Sequence, residues 1–513
     1  MTPAQLTRLL QEFLAEARSA VIFENGEEVF AFTEDARSAR YSISGDHGKC
    51  LLHLWSPERN FVRRITEAEV KKDSLLLQGQ RFGQTKPVKL EIFRERDRRS
   101  PSVRKTSRSA YTHLLERVLK RHFPELKASK LSISSNLEHS FSPAYGRGLL
   151  HRGRSSFAVL GINDQESQSS IDAALTFGLL WLHYLRQREI RALVEGLKLI
   201  VPQGTSAVLR ERIACLDQSA AKFELYELDE REQSLELMDC SDRGNIATKL
   251  VRAVDQPAAR ERFAASVEHV LALVPDAQRV ALSASSPAEL SFRLHGLEFA
   301  RARWEAGAQQ ITFGAGAHET ALTAESEPLF RELAAYLFAA RRADGERRDA
   351  LFRMQPERWL ESLVIENVCA LDSEIDSQHV YSQVPAFSSS DRAMIDVLAA
   401  KHDGRLCVIE LKADEDIHLP LQGLDYWARV EWHHSRGEFQ RCGYFAQRQL
   451  SPAAPLLLLV APALHVHPAT DILLSYLSPE IDWTFIGIDE RWREGARVVF
   501  RKRREKRQLA ATT

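Results

Sequence analysis

The sequence has no pair of cysteines spaced for a metal ribbon or for a local disulfide. Its six cysteines lie far apart along the chain, and no CxxC motif occurs. This spacing argues against a zinc ribbon and against the disulfide framework that staples small secreted domains. Unpaired cysteines fit a reducing compartment, so we expect a cytoplasmic protein.

The chain also lacks a membrane-length apolar run and a charge excess of either sign. The longest apolar run, residues 455–464, has the length of a buried strand, and the N-terminal segment lacks the apolar core of a signal peptide. With a net charge of -1, no global basic field indicates nucleic-acid binding. Two local basic segments, Arg94–Arg108 and Arg501–Arg507, are each more typical of solvated chain than of a phosphate-binding patch.

What is present is enough apolar sequence for several cores. The chain has 513 residues, of which 44% are hydrophobic and 27% charged, as in globular proteins of more than one domain. Runs of strand and helix patterns divide the chain into five predicted segments. These are a β-rich N-terminal module with its basic linker (1–107), an α/β unit (108–245), a helical and β-rich connecting module (246–345), a second α/β unit (346–500) and a basic disordered tail (501–513).

The two α/β units repeat the same order of elements, which predicts a multi-domain α/β fold with an internal duplication. "LKLIVP…FELYELDE" in the first unit corresponds to "LLLLVAP…WTFIGIDE" in the second. Aligned this way, Gly161 and Asn163 stand where the second unit has Glu410 and Lys412. The preceding strand of the first unit also has no acid to match Asp396. We therefore interpret the first unit as a degenerate copy that is structural or holds substrate.

In the second unit, "GRLCVIELKADEDIHLPLQGLDYW" combines a buried strand with charges. The apolar run before Glu410 predicts a strand, and residues two apart on a strand share a face. Glu410 and Lys412 should therefore emerge side by side, with Leu411 facing the core. Asp396 lies in the preceding predicted strand, and "KHDGR" between them predicts a hairpin that places Asp396 beside Glu410.

Two adjacent carboxylates repel each other unless a cation lies between them. A hard divalent ion, Mg²⁺ (or Mn²⁺), suits carboxylate oxygens, and the backbone carbonyl of Leu411 can supply a further ligand. Lys412 can orient an attacking water and offset charge on a phosphate. Gln422, at the start of the next helix, and Glu361, on the helix before the core, are expected to support the site. Glu357 shares a helix face with Glu361 and is its natural substitute.

This pattern resembles the PD-(D/E)XK nuclease superfamily. The matching residues are Asp396, then Glu410-Leu411-Lys412, then Gln422, with Glu361 as the acid on the first helix. The segment "MIDVLAAKHDGRLCVIELKADEDIHLPLQGLDYW" is similar to the catalytic segment of NucS-type endonucleases, with Tyr426 as the trailing aromatic residue, although Ile395 stands where the superfamily usually has proline. The resemblance implies a restriction-endonuclease-like core with a central mixed sheet, Mg²⁺- or Mn²⁺-dependent hydrolysis of DNA and a possible homodimer.

Other interpretations stay open at this point. The charged cluster could be a structural ion-pair network, and the chain a non-catalytic nucleic-acid-binding or scaffolding protein with a relic nuclease fold. RNA could replace DNA as the substrate. The sequence does not separate endonuclease from exonuclease action, or one metal from two. If the chain binds nucleic acid, its near-zero net charge requires a local basic groove, which the Arg94–Arg108 segment could line.

Overall fold

The computed structural model of the chain describes residues 2–504, apart from 15–19, 25–26, 33–39, 47–48, 56–59, 71–73, 81–86, 94–100, 135–140, 190–191, 242–247, 306, 315–318 and 389–393. The chain forms two compact units, each built from two stretches of sequence. The first unit comprises Met1–Arg104 and Val254–Ser362, and the second comprises Lys105–Ala253 and Leu363–Thr513. The five-segment division predicted above stays a prediction.

The N-terminal part of the first unit is a helix packed on an antiparallel sheet. Leu6, Leu10 and Phe13 recur at helical spacing and are buried against the sheet. The seven-stranded sheet has the order β2-β1-β7-β6-β5-β4-β3. The elements are α1 (Pro3–Leu14), β1 (Ala20–Glu24), β2 (Glu27–Phe32), β3 (Arg40–Asp46), β4 (Lys49–Trp55), β5 (Asn60–Val70), β6 (Ser74–Gln80) and β7 (Pro87–Phe93).

The second unit begins with an α/β layer, which we call the first α/β half (Lys105–Ala253). Its six-stranded sheet has the order β13-β12-β11-β10-β9-β8, and β10, β11 and β12 run parallel. The elements in this stretch are α2 (Pro101–His122), β8 (Lys127–Ala128), β9 (Tyr145–Arg152), β10 (Ser155–Ile162), α3 (Gln168–Asp172), α4 (Ala174–Arg188), β11 (Leu193–Pro202), α5 (Ala207–Ala214), β12 (Lys222–Asp229), β13 (Ser234–Met238) and β14 (Thr248–Leu250).

The chain then returns to the first unit and forms a small antiparallel sheet with helices on it. Phe299 and Phe330 stack with ring centroids 6.2 Å apart in the core of this part. The five strands lie in sequence order, from β15 to β19. The elements are α6 (Gln256–Arg262), α7 (Ala264–Leu273), β15 (Val280–Ser286), β16 (Glu289–Leu294), β17 (Leu297–Glu305), β18 (Ala308–Phe313), β19 (Thr320–Ala321), α8 (Glu327–Ala340), α9 (Ala350–Arg353) and α10 (Pro356–Glu366).

The last stretch of the second unit, the second α/β half (Leu363–Thr513), carries the predicted site. Its seven-stranded sheet has the order β14-β20-β21-β22-β23-β24-β25. The strands β22, β23 and β24 are parallel and buried along their whole length, as their continuous apolar runs predict. The elements are β20 (Ile375–Ser388), β21 (Met394–Lys401), β22 (Leu406–Leu411), α11 (Leu419–Ser435), α12 (Glu438–Arg441), β23 (Leu456–Pro462), α13 (Thr470–Ser475), β24 (Trp483–Ile488) and β25 (Val498–Arg503).

The mixed α/β class predicted from the sequence is confirmed, and one boundary is corrected. Arg501 to Arg503 were predicted to begin a disordered tail, but they form the end of β25, paired with β24. Arg501 also donates to the carbonyl of Leu371 at 2.9 Å, so backbone pairing and a side-chain contact hold this segment. Among the described residues, no helix is both long enough and apolar enough to cross a bilayer.

Candidate active site

The hairpin of β21 and β22 places Asp396 and Glu410 on one face of the sheet. The turn is closed by Lys401 N–H, which donates to Arg405 O at 2.8 Å, so the predicted hairpin is confirmed. Its antiparallel register pairs Val397 with Ile409. Extending that register by one residue puts Asp396 opposite Glu410, and residues opposite each other point to the same face.

The side chain of Asp396 takes the place of a backbone hydrogen-bond acceptor where strands β21 and β22 stop pairing. Its Oδ2 accepts the backbone N–H of Leu411 at 3.3 Å, so the carboxylate is fixed beside the end of β22. The backbone N–H of Lys412 donates to Val460 O on β23 at 2.9 Å. The segment that carries Glu410 and Lys412 is thus held from both neighbouring strands.

Lys412 lies among carboxylates at this strand end. Its Nζ is 3.4 Å from Oε1 of Glu410 and 3.9 Å from Oδ2 of Asp416. Glu410 is only 2% exposed, and Lys412 and Asp416 are also buried. Charges this deeply buried are tolerated because they are paired. Asp416 was not predicted from the sequence, because the acidic segment "ADED" is typical of an exposed loop.

Helix α11 covers this face of the sheet, and Gly423 allows it to approach closely. A Cβ at Gly423 would lie 2.5 Å from Cδ2 of Leu459 and 3.6 Å from Cβ of Glu410, so a larger residue would push the helix away. Gln422 precedes this glycine, and its buried Oε1 accepts no hydrogen bond from any residue that the structure describes. Tyr426 lies one turn later on the same helix.

Burial and the charges of the cluster shift the pKa of Tyr426 on helix α11. Burial raises the pKa of this phenol far above its usual value, and the negative charges of Glu410 and Asp396 raise it further. The phenol therefore stays protonated at neutral pH and remains a hydrogen-bond donor. The role of Tyr426 as the trailing aromatic residue of the site stays a prediction.

Gln383, on β20, is a neighbour of Asp396 that sequence reasoning missed. Its Nε2 donates to Oδ1 of Asp396 at 3.4 Å. Its φ of 51° lies in the left-handed region, which non-glycine residues rarely adopt. Only the register of β20 against β21 could have identified it, and β20 was not predicted.

Glu361 has its described partners in the first unit. It is 5% exposed and accepts a hydrogen bond at 2.8 Å from Nη1 of Arg358, while the alternative Glu357 is exposed on the same helix. The structure therefore brings together Asp396, Glu410, Leu411 and Lys412 and places Gln422 on the covering helix α11 of the same unit, whereas Glu361 has an ion pair with Arg358.

The predicted ligands of a divalent ion are the carboxylates of Asp396 and Glu410 and the carbonyl of Leu411. On helix α11, the buried amide oxygen of Gln422 has no hydrogen-bond partner among the described residues. This all-oxygen set suits Mg²⁺ or Mn²⁺ rather than a thiophilic metal. Among the described residues, no group of three His, Cys, Asp or Glu side chains is arranged as a metal centre. The predicted set contains only two such side chains.

The basic segment that was expected to line a groove is only partly described. Residues 94–100 lie outside the described residues, as do the side chains of 101–107. Arg108 forms an ion pair with Glu166 at 2.8 Å within the first α/β half. The Arg94–Arg108 groove therefore stays a prediction.

In the first α/β half, the residue that corresponds to Glu410 lies one position before the residue that the sequence alignment gave. A Cβ at Gly161 would meet Leu115 and Tyr111 of α2, so this residue faces away from α4, the counterpart of α11. The face toward α4 carries Leu160, and its strand partner is Arg147. Our assignment of Gly161 and Asn163 as counterparts of Glu410 and Lys412 is wrong, because an alignment of apolar runs does not fix which side of a strand each residue faces.

Arg147 therefore occupies the position that Asp396 has in the second half. It is 3% exposed, and its guanidinium lies 4.6 Å from the ring centroid of Phe141 and 5.9 Å from that of Trp181. Burial lowers its pKa to about 10. Trp181, three residues after Gly178, takes the place that Tyr426 has after Gly423. This half thus has a cation in an aromatic setting where the other half has two acids.

Comparisons with known proteins give little beyond this geometry. No family model matches the chain, and no curated protein matches it significantly. A repair endonuclease from Pyrococcus abyssi overlaps 45% of this chain and 96% of its own, at 10% identity and a TM-score of 0.17. The structure of an EndoMS complex with double-stranded DNA overlaps 44% of this chain and 94% of its own, at 12% identity and a TM-score of 0.16. Likeness at this level supports no assignment of function.

Proposed function

We propose that the chain is a divalent-metal-dependent nuclease of the PD-(D/E)XK type that hydrolyses phosphodiester bonds in DNA. The observation that carries the proposal is the convergence of Asp396, Glu410 and Lys412 on one face at the end of β22. Two carboxylates and a lysine in this order on a strand pair and its hairpin form the pattern of that superfamily. The second α/β half is therefore the catalytic domain in this proposal.

In this proposal each residue has the role that the superfamily pattern gives to it. Asp396, Glu410 and the carbonyl of Leu411 would hold Mg²⁺ or Mn²⁺, which when bound supplies Lewis-acid stabilisation of charge on the phosphate. Lys412 would orient the attacking water and donate to a phosphate oxygen, because its ammonium lies 3.4 Å from the Glu410 carboxylate that would hold the ion. Gln422 and Tyr426 would donate from α11, and Glu361 stays a candidate for support.

The alternative is a non-catalytic nucleic-acid-binding or scaffolding protein that keeps a relic nuclease fold. One observation favours it: Lys412 lies within 4 Å of Glu410 and Asp416, as it would in a purely structural ion-pair network. Against it stands the cost of burying Glu410 and Lys412 at the end of a strand that could have been apolar, as the first α/β half shows with Leu160.

The test is cleavage of supercoiled plasmid, linear duplex and single-stranded DNA by the purified protein, each with Mg²⁺, Mn²⁺ or EDTA. Asp396→Asn and Lys412→Met remove a charge from the site. Asp403→Asn, in the exposed turn of the same hairpin, is the matched control. The proposal expects metal-dependent cleavage that both site variants lose and the control keeps.

Two other outcomes would reject the proposal. Cleavage that all variants retain would come from another site or from a contaminating nuclease. Binding of DNA without cleavage of any substrate would support the binding-protein alternative. Cleavage of RNA but not of DNA, dependent on Asp396 and Lys412, would keep the site and change its substrate.

A further inference from the structure

The two halves of the second unit have the same sheet topology. In the first half, β9 runs antiparallel to β10, β10 to β12 are parallel, and β13 is antiparallel. In the second half, β21 runs antiparallel to β22, β22 to β24 are parallel, and β25 is antiparallel. Helices α4 and α11 therefore correspond, as do α5 and α13.

The contact between the halves is symmetric. Leu216, which follows α5, forms an antiparallel bridge with Leu477, which follows α13. Asp217 N–H donates to Tyr476 O at 2.8 Å, and Ser478 N–H donates to Cys215 O at 2.9 Å. An antiparallel bridge has a local two-fold axis, and here the two bridged residues also follow corresponding helices, so the same axis relates the two halves.

The helices repeat this symmetry. Helix α4 packs against α13, and α11 packs against α5, so each half presents the same pair of helices to the other. Buried apolar side chains from both halves form one shared core cluster. Arg212 on α5 is buried and makes a bidentate pair with Asp425 on α11, at 2.9 and 2.7 Å. The halves are thus arranged like the two subunits of a dimer within one chain.

Only one of these halves has the acidic cluster. At the position of Asp396 the first half has Arg147, and at the position of Glu410 it has Leu160, within the shared core. Ile162, two residues further along β10, stands in the place of Lys412. Neither the carboxylates nor the lysine of the second half has an equivalent there.

We infer that this chain is a fused pseudo-dimer that cuts one strand of a DNA duplex at each cleavage event, an inference that rests on the proposed function. The two strands of a duplex are related by two-fold axes, so a two-fold pair of active sites can act on both strands. In this chain the two-fold contact is already used inside the molecule, and one of the paired sites lacks its charges. A single bound chain therefore presents one live site to one strand.

The inference is tested by following supercoiled plasmid under conditions of less than one cut per molecule. Nicked circles should accumulate first. Linear plasmid should appear only after a lag, because two independent nicks must fall close together on opposite strands. A duplex oligonucleotide with a different label on each strand should be cut in one strand per duplex, by a complex that sedimentation shows to contain one chain.

Linear plasmid formed from the first time point, in a constant ratio to nicked circles, would overturn the inference. So would duplexes cut in both strands by a complex of two chains. Asp396→Asn separates this failure from that of the proposed function. If no product depends on Asp396, the nuclease proposal itself is rejected, whereas Asp396-dependent linear product rejects only the single-strand inference.

Discussion

The two α/β halves of the second unit share a scaffold and differ in what lies at the end of one strand. In the second half, Asp396 and Glu410 face helix α11, with Lys412 beside them. In the first half, Arg147 lies opposite Leu160 and is covered by aromatic rings. The same topology thus tolerates either a buried charged cluster or an apolar strand end with one cation. The fold alone therefore does not determine function; a few side chains at the strand end do.

The largest effect is expected from removing the charge that distinguishes the halves. Asp396→Asn keeps an oxygen that can accept from Leu411 N–H, but it removes one of the two carboxylates proposed to hold the ion. We expect cleavage to fall by more than about 100-fold, and thermal stability to stay the same or rise, because repulsion with Glu410 is relieved. Cleavage rate and melting temperature of the same preparation check both. A variant that loses activity and stability together would point to a structural role for Asp396.

The symmetric contact can be broken at the pair of Arg212 and Asp425. Arg212→Met leaves the Asp425 carboxylate partly buried without its cation, so we expect the free energy of unfolding to fall by about 3 kcal/mol. Replacing both residues, by Arg212→Met with Asp425→Leu, should recover most of this loss. Urea denaturation provides the measurement.

The control for this experiment is Lys222→Met in the same half, which removes a surface pair with Glu195. Lys222 is 66% exposed, so its loss should cost far less than the loss of Arg212. Equal destabilisation by Arg212→Met and Lys222→Met would show that the contact between the halves is not held by the buried pair.

The two helix glycines offer a matched comparison of the halves. A Cβ at Gly423 would meet Leu459 at 2.5 Å, and a Cβ at Gly178 would meet Leu197 at 2.8 Å. Either change to alanine gains helix propensity but overpacks the core, so each should cost about 1 kcal/mol net. Only Gly423→Ala should also slow cleavage, by about 10-fold, because α11 would be displaced from Glu410. Equal activity in both variants would show that the approach of α11 does not set the site.

The smallest effect concerns the strained backbone at Gln383. Glycine adopts a φ of 51° without steric cost, whereas a Cβ makes it less favourable, so Gln383→Gly should be more stable than Gln383→Ala by about 1 kcal/mol. Both variants lose the contact with Asp396 and should be slower than wild type by a similar factor. Thermal denaturation of the pair, with cleavage rates, is the measurement. If alanine proves the more stable, the left-handed backbone is not a source of strain.

Much of the site could be predicted because it depends on short-range rules. The apolar run before Glu410 predicts the strand, the two-residue period places Glu410 and Lys412 on one face, and the turn "KHDGR" places Asp396 opposite Glu410. These features need only neighbouring residues, and the hairpin register confirms the strand pairing. The repeated order of elements is likewise visible in the sequence, and the two mixed sheets have matching strand directions.

The parts that could not be predicted depend on long-range pairing. Gln383 reaches Asp396 only because β20 lies beside β21, and the ion pair of Glu361 with Arg358 competes with any role of that acid elsewhere. The counterpart of Glu410 is Leu160 and not Gly161, because Leu160 is on the strand face that packs against α4. An alignment of apolar runs does not show which face a residue occupies. Asp416 approaches Lys412 across a turn whose path the sequence "KADED" does not specify.

The most direct test of the difference between the halves is binding of Mn²⁺, followed by its electron paramagnetic resonance signal in the absence of DNA. Wild type and the turn variant Asp403→Asn should bind the ion alike. Asp396→Asn should bind it more than about 100-fold more weakly, although the first half is unchanged. Mn²⁺ binding that Asp396→Asn leaves intact would contradict the account, because the ion would then be held somewhere other than the strand end that distinguishes the two halves.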